Sequence, residues 1–175
     1  SLDQLDATIV SLEDSGAYRL GWHESYLDRE WRTPSGRIVS LADDVLARAA
    51  VKFGPPLAHA DQLQQAIRAL WVGHGQAPDI ELSFAGTRAP TSLEEFLFLT
   101  LESARRGLNP ACVAPSLGAL WQPGAKFAGE PSELETRLVA LGEITALAGA
   151  EKAGIHHAAG KTGILPLTAR VLGDR

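Results

Sequence analysis

Two adjacent histidines and the lysine that follows them form the part of this sequence best suited to chemistry. His156 and His157 end a short apolar run, and Lys161 comes next within a Gly-Lys-Thr-Gly step. Neutral imidazole binds borderline divalent metal ions and titrates near neutrality. Because neighbouring residues of a strand point to opposite faces, only one of the two histidines faces a given site. One interpretation is a metal ligand or base; the alternative is a histidine that only packs or binds backbone.

The Gly-Lys-Thr step resembles a phosphate-binding loop, but its spacing is wrong. Such a loop follows the pattern GxxxxGK[ST], in which successive backbone N–H groups wrap the phosphate. Here five residues separate Gly154 from Gly160. A nucleotide-binding loop is therefore not expected at this position.

Further polar candidates lie within or just after predicted strands. Glu81 alternates with Ile80 and Leu82, so its side chain points away from theirs. A carboxylate on the interior face of a barrel is unusual unless it is paired, whereas a carboxylate at a sheet edge is simply solvated. Arg88 and Lys161 follow strands and are candidates for binding a substrate carboxylate or phosphate, although isolated loop cations are commonly solvated.

Strand and helix patterns alternate along the chain, and these elements must position the candidate residues. Period-two alternation and β-branched residues predict strands, whereas capping residues followed by apolar stripes predict helices. Strands are predicted at residues 7–12, 78–84, 108–113 and 153–157, and helices at 22–31, 40–53, 57–72, 91–106, 132–147 and 163–172.

Some helices carry more specific expectations. The prolines within residues 54–56 are predicted to end the helix that begins near Ser40, because proline lacks the N–H that a helix interior needs. Capping boxes are predicted at residues 91–94 and 132–135. The helix at 57–72 is predicted to turn these apolar residues inward: Leu63, Ile67, Leu70 and Trp71.

The regular alternation of strand and helix indicates βα units with parallel strand pairing. Such units fit a partial or complete TIM-barrel-like fold, with an open doubly wound α/β sheet as the alternative. In either architecture the carboxyl ends of the strands form the ligand face. Residues 83–88, 114–118 and 156–161 would then meet on that face.

Composition narrows the class of protein. The chain has 175 residues, 45% of them hydrophobic and 21% charged, and a net charge of −5. These values fit a single α/β domain over residues 1–175. The chain lacks methionine, so either its start was removed or it is an excerpt of something longer, such as a longer barrel. Scattered basic residues argue against a nucleic-acid partner, and no segment is apolar enough for a membrane. With Cys112 as the only cysteine, we expect a cytoplasmic protein and an inert thiol.

Several short pieces occur in an order and spacing that resemble one enzyme family. The pieces are AAVKFGPPLAHA (49–60), DIELS (79–83), TSLEEFLF (91–98), RRGL (105–108), APSLG (114–118), FAGE (127–130) and IH (155–156). Together they resemble the tagaturonate/fructuronate epimerase family of bacterial sugar-acid metabolism. The resemblance implies a TIM-barrel-type, divalent-metal-dependent isomerase acting on keto-uronates.

The resemblance also assigns roles to individual residues. His156 takes the place of the histidine that opens the family's His-Ser-Gly-Ser-Asp-Lys-Phe segment, and Lys161 then falls on its lysine. Glu81 and Lys161 are predicted to be catalytic, Arg88, Lys161 and Thr162 to bind substrate, and His156 to bind a divalent metal ion. The expected partner is a small sugar or sugar acid, and a homo-oligomer is expected as well.

The sequence departs from the family pattern at positions that matter for chemistry. Ala85 and Gly86 stand where the family has two acids, and Glu95 stands where it has a histidine. Gly160 and Thr162 replace an aspartate and a phenylalanine. These losses favour an alternative function: a non-catalytic α/β domain that binds a sugar acid or serves structurally.

Overall fold

The computed structural model describes residues 21–76, 78–84, 89–118, 126–149, 152–156 and 163–173. Within these residues the helices and strands alternate in the second half of the chain, as the sequence predicts. In chain order they are α1 (Trp22–Tyr26), β1 (Glu30–Arg32), β2 (Ile38–Ser40), α2 (Asp43–Trp71), β3 (Glu81–Ser83), α3 (Leu93–Arg105), β4 (Cys112–Ala114), α4 (Pro131–Leu147), β5 (Lys152–Ala153) and α5 (Leu165–Leu172).

Strands β3, β4 and β5 form a parallel sheet in that order. The prediction of parallel βα units is therefore confirmed for this part of the chain, which is a mixed α/β structure compatible with an open sheet. The predicted strand at residues 7–12 lies outside the described residues.

One face of this sheet packs against the helices. Leu82 of β3 and Val113 of β4 are buried, and they share a core with apolar residues of α2, α3 and α4. Because side chains alternate along a strand, the residues next to Leu82 and Val113 point to the opposite face. The helix residues in the same core as Leu82 and Val113 include Leu46, Phe53, Leu57, Phe96, Leu97, Leu141 and Ile144.

The predicted strand at 108–113 is shorter than the sequence pattern suggests, because β4 begins only at Cys112. Gly107 and Asn109 have positive φ angles of 72° and 40°, which no extended strand accommodates. The N–H of Leu108 donates to the carbonyl of Ser103 and so belongs to the end of α3. Pro110 contributes no N–H for a ladder.

Helix α2 runs unbroken through Pro55 and Pro56, so the prediction that residues 54–56 end a helix is wrong. Each proline removes one backbone hydrogen bond, and a proline inside a helix costs about 3 kcal/mol. Burial on both sides offsets this cost, because Phe53 and Leu57 lie in the core immediately before and after the prolines. The helix begins at Asp43, and Ser40 belongs to β2.

The second half of α2 turns a different face inward from the one predicted. Leu63, Leu70 and Trp71 have relative exposures of 50%, 78% and 41%, so the prediction that they face the core is wrong. The buried stripe that starts at Leu46 continues at helical spacing through Phe53 and Leu57 to Gln64. The Gln64 side-chain amide donates to the Gly107 carbonyl at 3.0 Å, which explains how a polar residue occupies this position.

The helix predicted at residues 22–31 is shorter in the structure, where it ends at Tyr26 as α1. Asp28 has a φ of 55°, a left-handed conformation that does not continue a helix. The chain then forms an antiparallel hairpin in which Trp31 of β1 lies opposite Val39 of β2.

Helix caps are only partly as predicted. Helix α3 has a capping box, but Ser92 and Glu95 form it, one residue later than predicted. Helix α4 has Pro131 in its first turn and no side-chain cap, so the box predicted at 132–135 is wrong. Proline suits a first turn because the N–H there has no partner within the helix. No helix within the described ranges combines the length and apolar character that crossing a membrane requires.

Candidate functional site

The face of the parallel sheet opposite the helices carries polar side chains. Glu81, Cys112 and Lys152 are register partners across β3, β4 and β5, and therefore form one row on this face. Glu81 and Lys152 are exposed, and Cys112 is half-buried. The alternation of Glu81 with Ile80 and Leu82 in the sequence predicts that the Glu81 side chain lies on the face opposite Leu82. An acid, a thiol and an amine thus lie side by side on an open surface.

Glu81 and His156 contact each other on this face. Nε2 of His156 hydrogen-bonds Oε1 of Glu81, and the two side chains are 37% and 42% exposed. The residues are 75 positions apart in the chain and lie on either side of β4. A carboxylate next to an imidazole can share or transfer a proton. Both groups also carry lone pairs that can bind a cation. The structure therefore brings together two of the residues that the sequence predicts for the site.

Gly154 lets the chain that carries His156 lie close to β4. A Cβ added at Gly154 would lie 2.7 Å from Sγ of Cys112 and 3.1 Å from Cβ of Ala114. The Gly154 N–H donates to the Val113 carbonyl at 2.9 Å, which extends the ladder beyond β5. The glycine before the histidines is therefore explained by packing against β4.

The surroundings of Cys112 give its thiol a low reactivity at neutral pH. Burial, and secondarily the neighbouring Glu81, raise the pKa of its thiol to about 11, whereas the charge of Lys152 opposes this rise. Since the thiolate is the nucleophilic form of cysteine, this environment suppresses its reactivity.

The loops that follow β3 and β4 are bound to each other at the carboxyl ends of the strands. Thr91 is fully buried, and its N–H donates to the Ser116 carbonyl at 2.9 Å. The Ser116 N–H returns a bond to Oγ1 of Thr91 at 3.0 Å. Arg137 of α4 donates to the Thr91 carbonyl, and burial lowers the pKa of this guanidinium. These contacts join Thr91, which follows β3, to Ser116, which follows β4.

Gly118 completes this junction, and we expect Gly118→Ala to destabilise the protein by about 1–3 kcal/mol. Gly118 has a φ of +80°, and an added Cβ would lie 2.9 Å from Cδ of Pro90. The matched control is Gly36→Ala, because Gly36 has a φ of +88° with open space around it. Urea unfolding should show a larger loss for Gly118→Ala; equal losses would mean that the Pro90 contact is unimportant.

Glu95, which stands where the resembling family has a histidine, is engaged in structural contacts. Its carboxylate accepts bonds from Nζ of Lys52 at 2.8 and 2.9 Å and from the Ser92 N–H at 2.9 Å. The ion pair joins α2 to the first turn of α3. The sequence analysis did not single out Lys52, and an acid in a capping box gave no signal of a tertiary partner.

Other predicted site residues lie outside the described residues: Arg88, Lys161, Thr162, His157, Ala85 and Gly86. Within the described part of the chain, no group of three or more His, Cys, Asp or Glu residues gathers at metal-binding distance. The sequence analysis also missed that Cys112 and Glu81 are register partners on neighbouring strands. Only the register of the strands, which the sequence does not specify, places these two residues together.

Comparison with known proteins identifies relatives that are described as epimerases of tagaturonate and fructuronate. The sequence model of a family described as tagaturonate epimerase matches residues 1–174. A tagaturonate/fructuronate epimerase of Thermotoga maritima is 24% identical over 140 residues, which cover 79% of this chain and 28% of the relative.

Solved structures with the same fold belong to a fructuronate-tagaturonate epimerase from Cohnella laeviribosi. The native crystal structure matches with a TM-score of 0.79 at 21% identity, and a complex with two glycerols matches with 0.81 at 20%. The matches cover 100% and 99% of this chain, but only 34% of the Cohnella chain. This chain thus spans about a third of the length of the relatives that it matches.

Proposed function

Because the chain belongs to the tagaturonate epimerase family, we propose that it serves in the epimerisation of the keto-uronates tagaturonate and fructuronate. The observation that carries this proposal is the contact between Glu81 and His156 on the open polar face of the sheet. Both residues belong to pieces of sequence that resemble the family, and both have side chains suited to proton transfer or metal binding.

The fold that we propose for this function is part of a TIM-type barrel. Each described parallel strand lies beside its neighbour in sequence, as in a barrel. Helices cover the face that carries Leu82 and Val113, whereas Glu81 and Lys152 on the other face are exposed. A doubly wound sheet has helices on both faces, so one covered face supports the barrel. The polar face then corresponds to the barrel interior.

The donor chemistry of the site fits a divalent metal ion. A neutral imidazole and a carboxylate are ligands that such ions take. His156 would hold the ion, and when bound it would polarise the substrate carbonyl as a Lewis acid. Glu81 acts as the base: its carboxylate accepts a proton, either from the carbon beside the carbonyl or from a hydroxyl group in a retro-aldol cleavage. Contact with His156 orients Oε1 of Glu81 for this transfer.

Residues after the strands complete the proposed site. Arg88, Lys161 and Thr162 are placed by the sequence in the loops at the carboxyl ends of β3 and β5. We assign to the two cations the binding of the sugar-acid carboxylate, since charge-assisted hydrogen bonds give strong recognition of that group. Thr162 donates or accepts a hydrogen bond with a substrate hydroxyl, and Lys161 also takes part in proton transfer.

One observation favours a second function, a sugar-acid-binding or structural domain without catalysis. Glu95 occupies the position of a family histidine and is held by Lys52 and Ser92, so it is not free to serve a substrate. Ala85 and Gly86 likewise replace acids of the family pattern. Under this alternative the protein binds a keto-uronate but does not convert it.

The two functions are separated by one experiment. The purified protein is incubated with tagaturonate in the presence of Mn²⁺, and fructuronate is measured by proton NMR over time. Catalytic production of fructuronate supports the epimerase. Saturable binding of tagaturonate in calorimetry without conversion supports a sugar-acid-binding domain. The absence of both conversion and binding contradicts these two functions and supports a structural domain.

The metal is tested separately, and we expect His156→Ala to lower bound metal while leaving the fold intact. The imidazole is 37% exposed, so its removal leaves no buried cavity. His59→Ala is the matched control, because His59 is exposed on α2 away from the sheet. Elemental analysis after dialysis gives metal per chain, and circular dichroism gives the fold. Equal metal content in the two variants would exclude His156 as a ligand.

A further inference from the structure

We propose that a cleft between the β1–β2 hairpin and helices α3 and α4 binds a small organic carboxylate through Arg37 and Arg137. The cleft has a volume of about 290 Å³. Its walls are formed by Arg37, Leu93, Glu133, Thr136, Arg137 and Ala140. None of these six residues belongs to the polar face that carries Glu81 and His156, so the inference goes beyond the proposed function.

The first support is the guanidinium of Arg137, which is partly buried and has no acidic partner. Its Nη2 donates to the Thr91 carbonyl, whereas its Nε is buried without an acceptor in the part of the chain that the structure describes. No ion pair joins Arg137 to an acid among the same residues. A buried charge is costly unless it is paired. An anion in the cleft would supply the negative charge that Arg137 lacks.

The second support is the fixed position of the other cation, Arg37. Ser35 donates from its N–H and its hydroxyl to the Glu143 carboxylate of α4, at 3.0 and 2.8 Å. These two bonds hold the turn that leads to Arg37 against the helix that carries Arg137. Two guanidinium groups from separate elements therefore line one cleft. Guanidinium groups bind carboxylates through charge-assisted, often bidentate hydrogen bonds.

The walls of the cleft determine the class of anion. Leu93 and Ala140 contribute apolar surface, and the Thr136 hydroxyl already donates to the Ser132 carbonyl at 2.9 Å. Glu133 is an exposed acid on the same wall, and it disfavours a ligand with a second negative charge. A single carboxylate with a short apolar body therefore fits better than a phosphate dianion. The volume is just below the range of about 300–1,000 Å³ that is usual for small-molecule sites, so the ligand is small.

The test is NMR on the full chain with ¹⁵N-labelled arginine, which reports the Nε–H groups directly. The signal of Arg137 is assigned by its loss in Arg137→Lys, which keeps the positive charge. The probes are butyrate, inorganic phosphate and the uncharged n-butanol. We expect butyrate to shift the Arg137 signal saturably, phosphate to bind more weakly, and n-butanol to leave the signal in place.

Substitutions at exposed positions locate the site without disturbing the core. Exposed charge pairs contribute up to about fivefold in affinity. Arg37→Gln should therefore raise the Kd of butyrate by about two- to fivefold, and Glu133→Gln should lower it by a similar factor. The matched control is Arg48→Gln, because Arg48 is exposed on α2 and does not line the cleft. Its Kd should equal that of the wild type, and circular dichroism confirms the fold of each variant.

Several outcomes would overturn the proposal. The absence of a saturable shift with butyrate, or an equal shift with n-butanol, would show that the arginines do not recognise the carboxylate. Tighter binding of phosphate would show that the apolar wall does not select the ligand. An unchanged Kd in both Arg37→Gln and Glu133→Gln would place the bound butyrate elsewhere.

One further variant separates this cleft from the proposed epimerase site. Glu81→Gln changes the polar face and should leave the Kd of butyrate unchanged, whether or not the protein converts tagaturonate. A changed Kd in Glu81→Gln would mean that butyrate binds on the polar face, which would overturn the assignment to the cleft. Butyrate binding that depends on Arg37, in a protein that converts no tagaturonate, would retain this inference and reject the epimerase.

Discussion

Glu81→Gln is expected to lower the rate of epimerisation by about 10²- to 10⁴-fold, the range that a general base contributes. Glutamine has almost the same shape as glutamate and can still hydrogen-bond His156, but its amide does not accept a proton as a carboxylate does. Because the Glu81 side chain is 42% exposed, the substitution removes no fully buried charge, and the free energy of unfolding should change little. A fall in kcat with an unchanged unfolding midpoint would therefore identify a chemical role.

The matched control for this variant is Asp79→Asn. Asp79 is exposed, lies two residues before Glu81 and has no assigned role in the site. Time courses of tagaturonate conversion should show wild-type rates for Asp79→Asn. If Glu81→Gln also retains its rate, Glu81 is not the base, and the contact with His156 serves structure alone.

The sequence predicts the features of the candidate site that depend on local pattern. Alternation places Glu81 on the face away from Leu82, and the order of family-like pieces singles out His156. Their mutual contact depends on the register of β3, β4 and β5 and on the close approach at Gly154. Neither is encoded in any short window of sequence, because both result from packing between segments far apart in the chain.

The fold shows the same division between local and tertiary effects. Pro55 and Pro56 predict a helix end by a sound local argument, and burial of Phe53 and Leu57 overrides it. Apolar character predicts that Leu63 faces the core, whereas the phase of the buried stripe selects Gln64. Propensity and hydrophobicity describe each residue by itself, and they fail where a neighbouring helix determines which face is covered.

Arg105 and Arg106 at the end of α3 are a third such case, since the sequence suggests only that they complement the helix dipole. In the structure they bind Glu102, which is fully buried and also accepts a bond from the Tyr26 hydroxyl at 3.1 Å. Arg105 donates through two nitrogens and Arg106 through Nε, each at 2.7 Å. Burial, and secondarily the charge of Glu102, raise the pKa of Tyr26, so the phenol remains a donor. This cluster ties α1 to α3.

Glu102→Gln should therefore destabilise the protein by about 3–5 kcal/mol, the cost of breaking a buried ion pair by removing one partner. The Arg106 side chain is only 5% exposed, so the substitution removes a carboxylate from contact with a buried guanidinium. Urea unfolding followed by tryptophan fluorescence measures this loss.

Glu135→Gln is the matched control for Glu102→Gln, because Glu135 pairs with Arg170 at the surface, where both side chains are exposed. Such a pair contributes about 0–1 kcal/mol. Similar small losses in both variants would mean that water reaches the Glu102 cluster. A large loss for Glu102 alone would show that its buried contacts with Arg105, Arg106 and Tyr26 stabilise the protein, in addition to the packing of Tyr26 on Phe98. The two contributions then separate further in Tyr26→Phe, which keeps the ring contact and removes only the hydroxyl bond to Glu102.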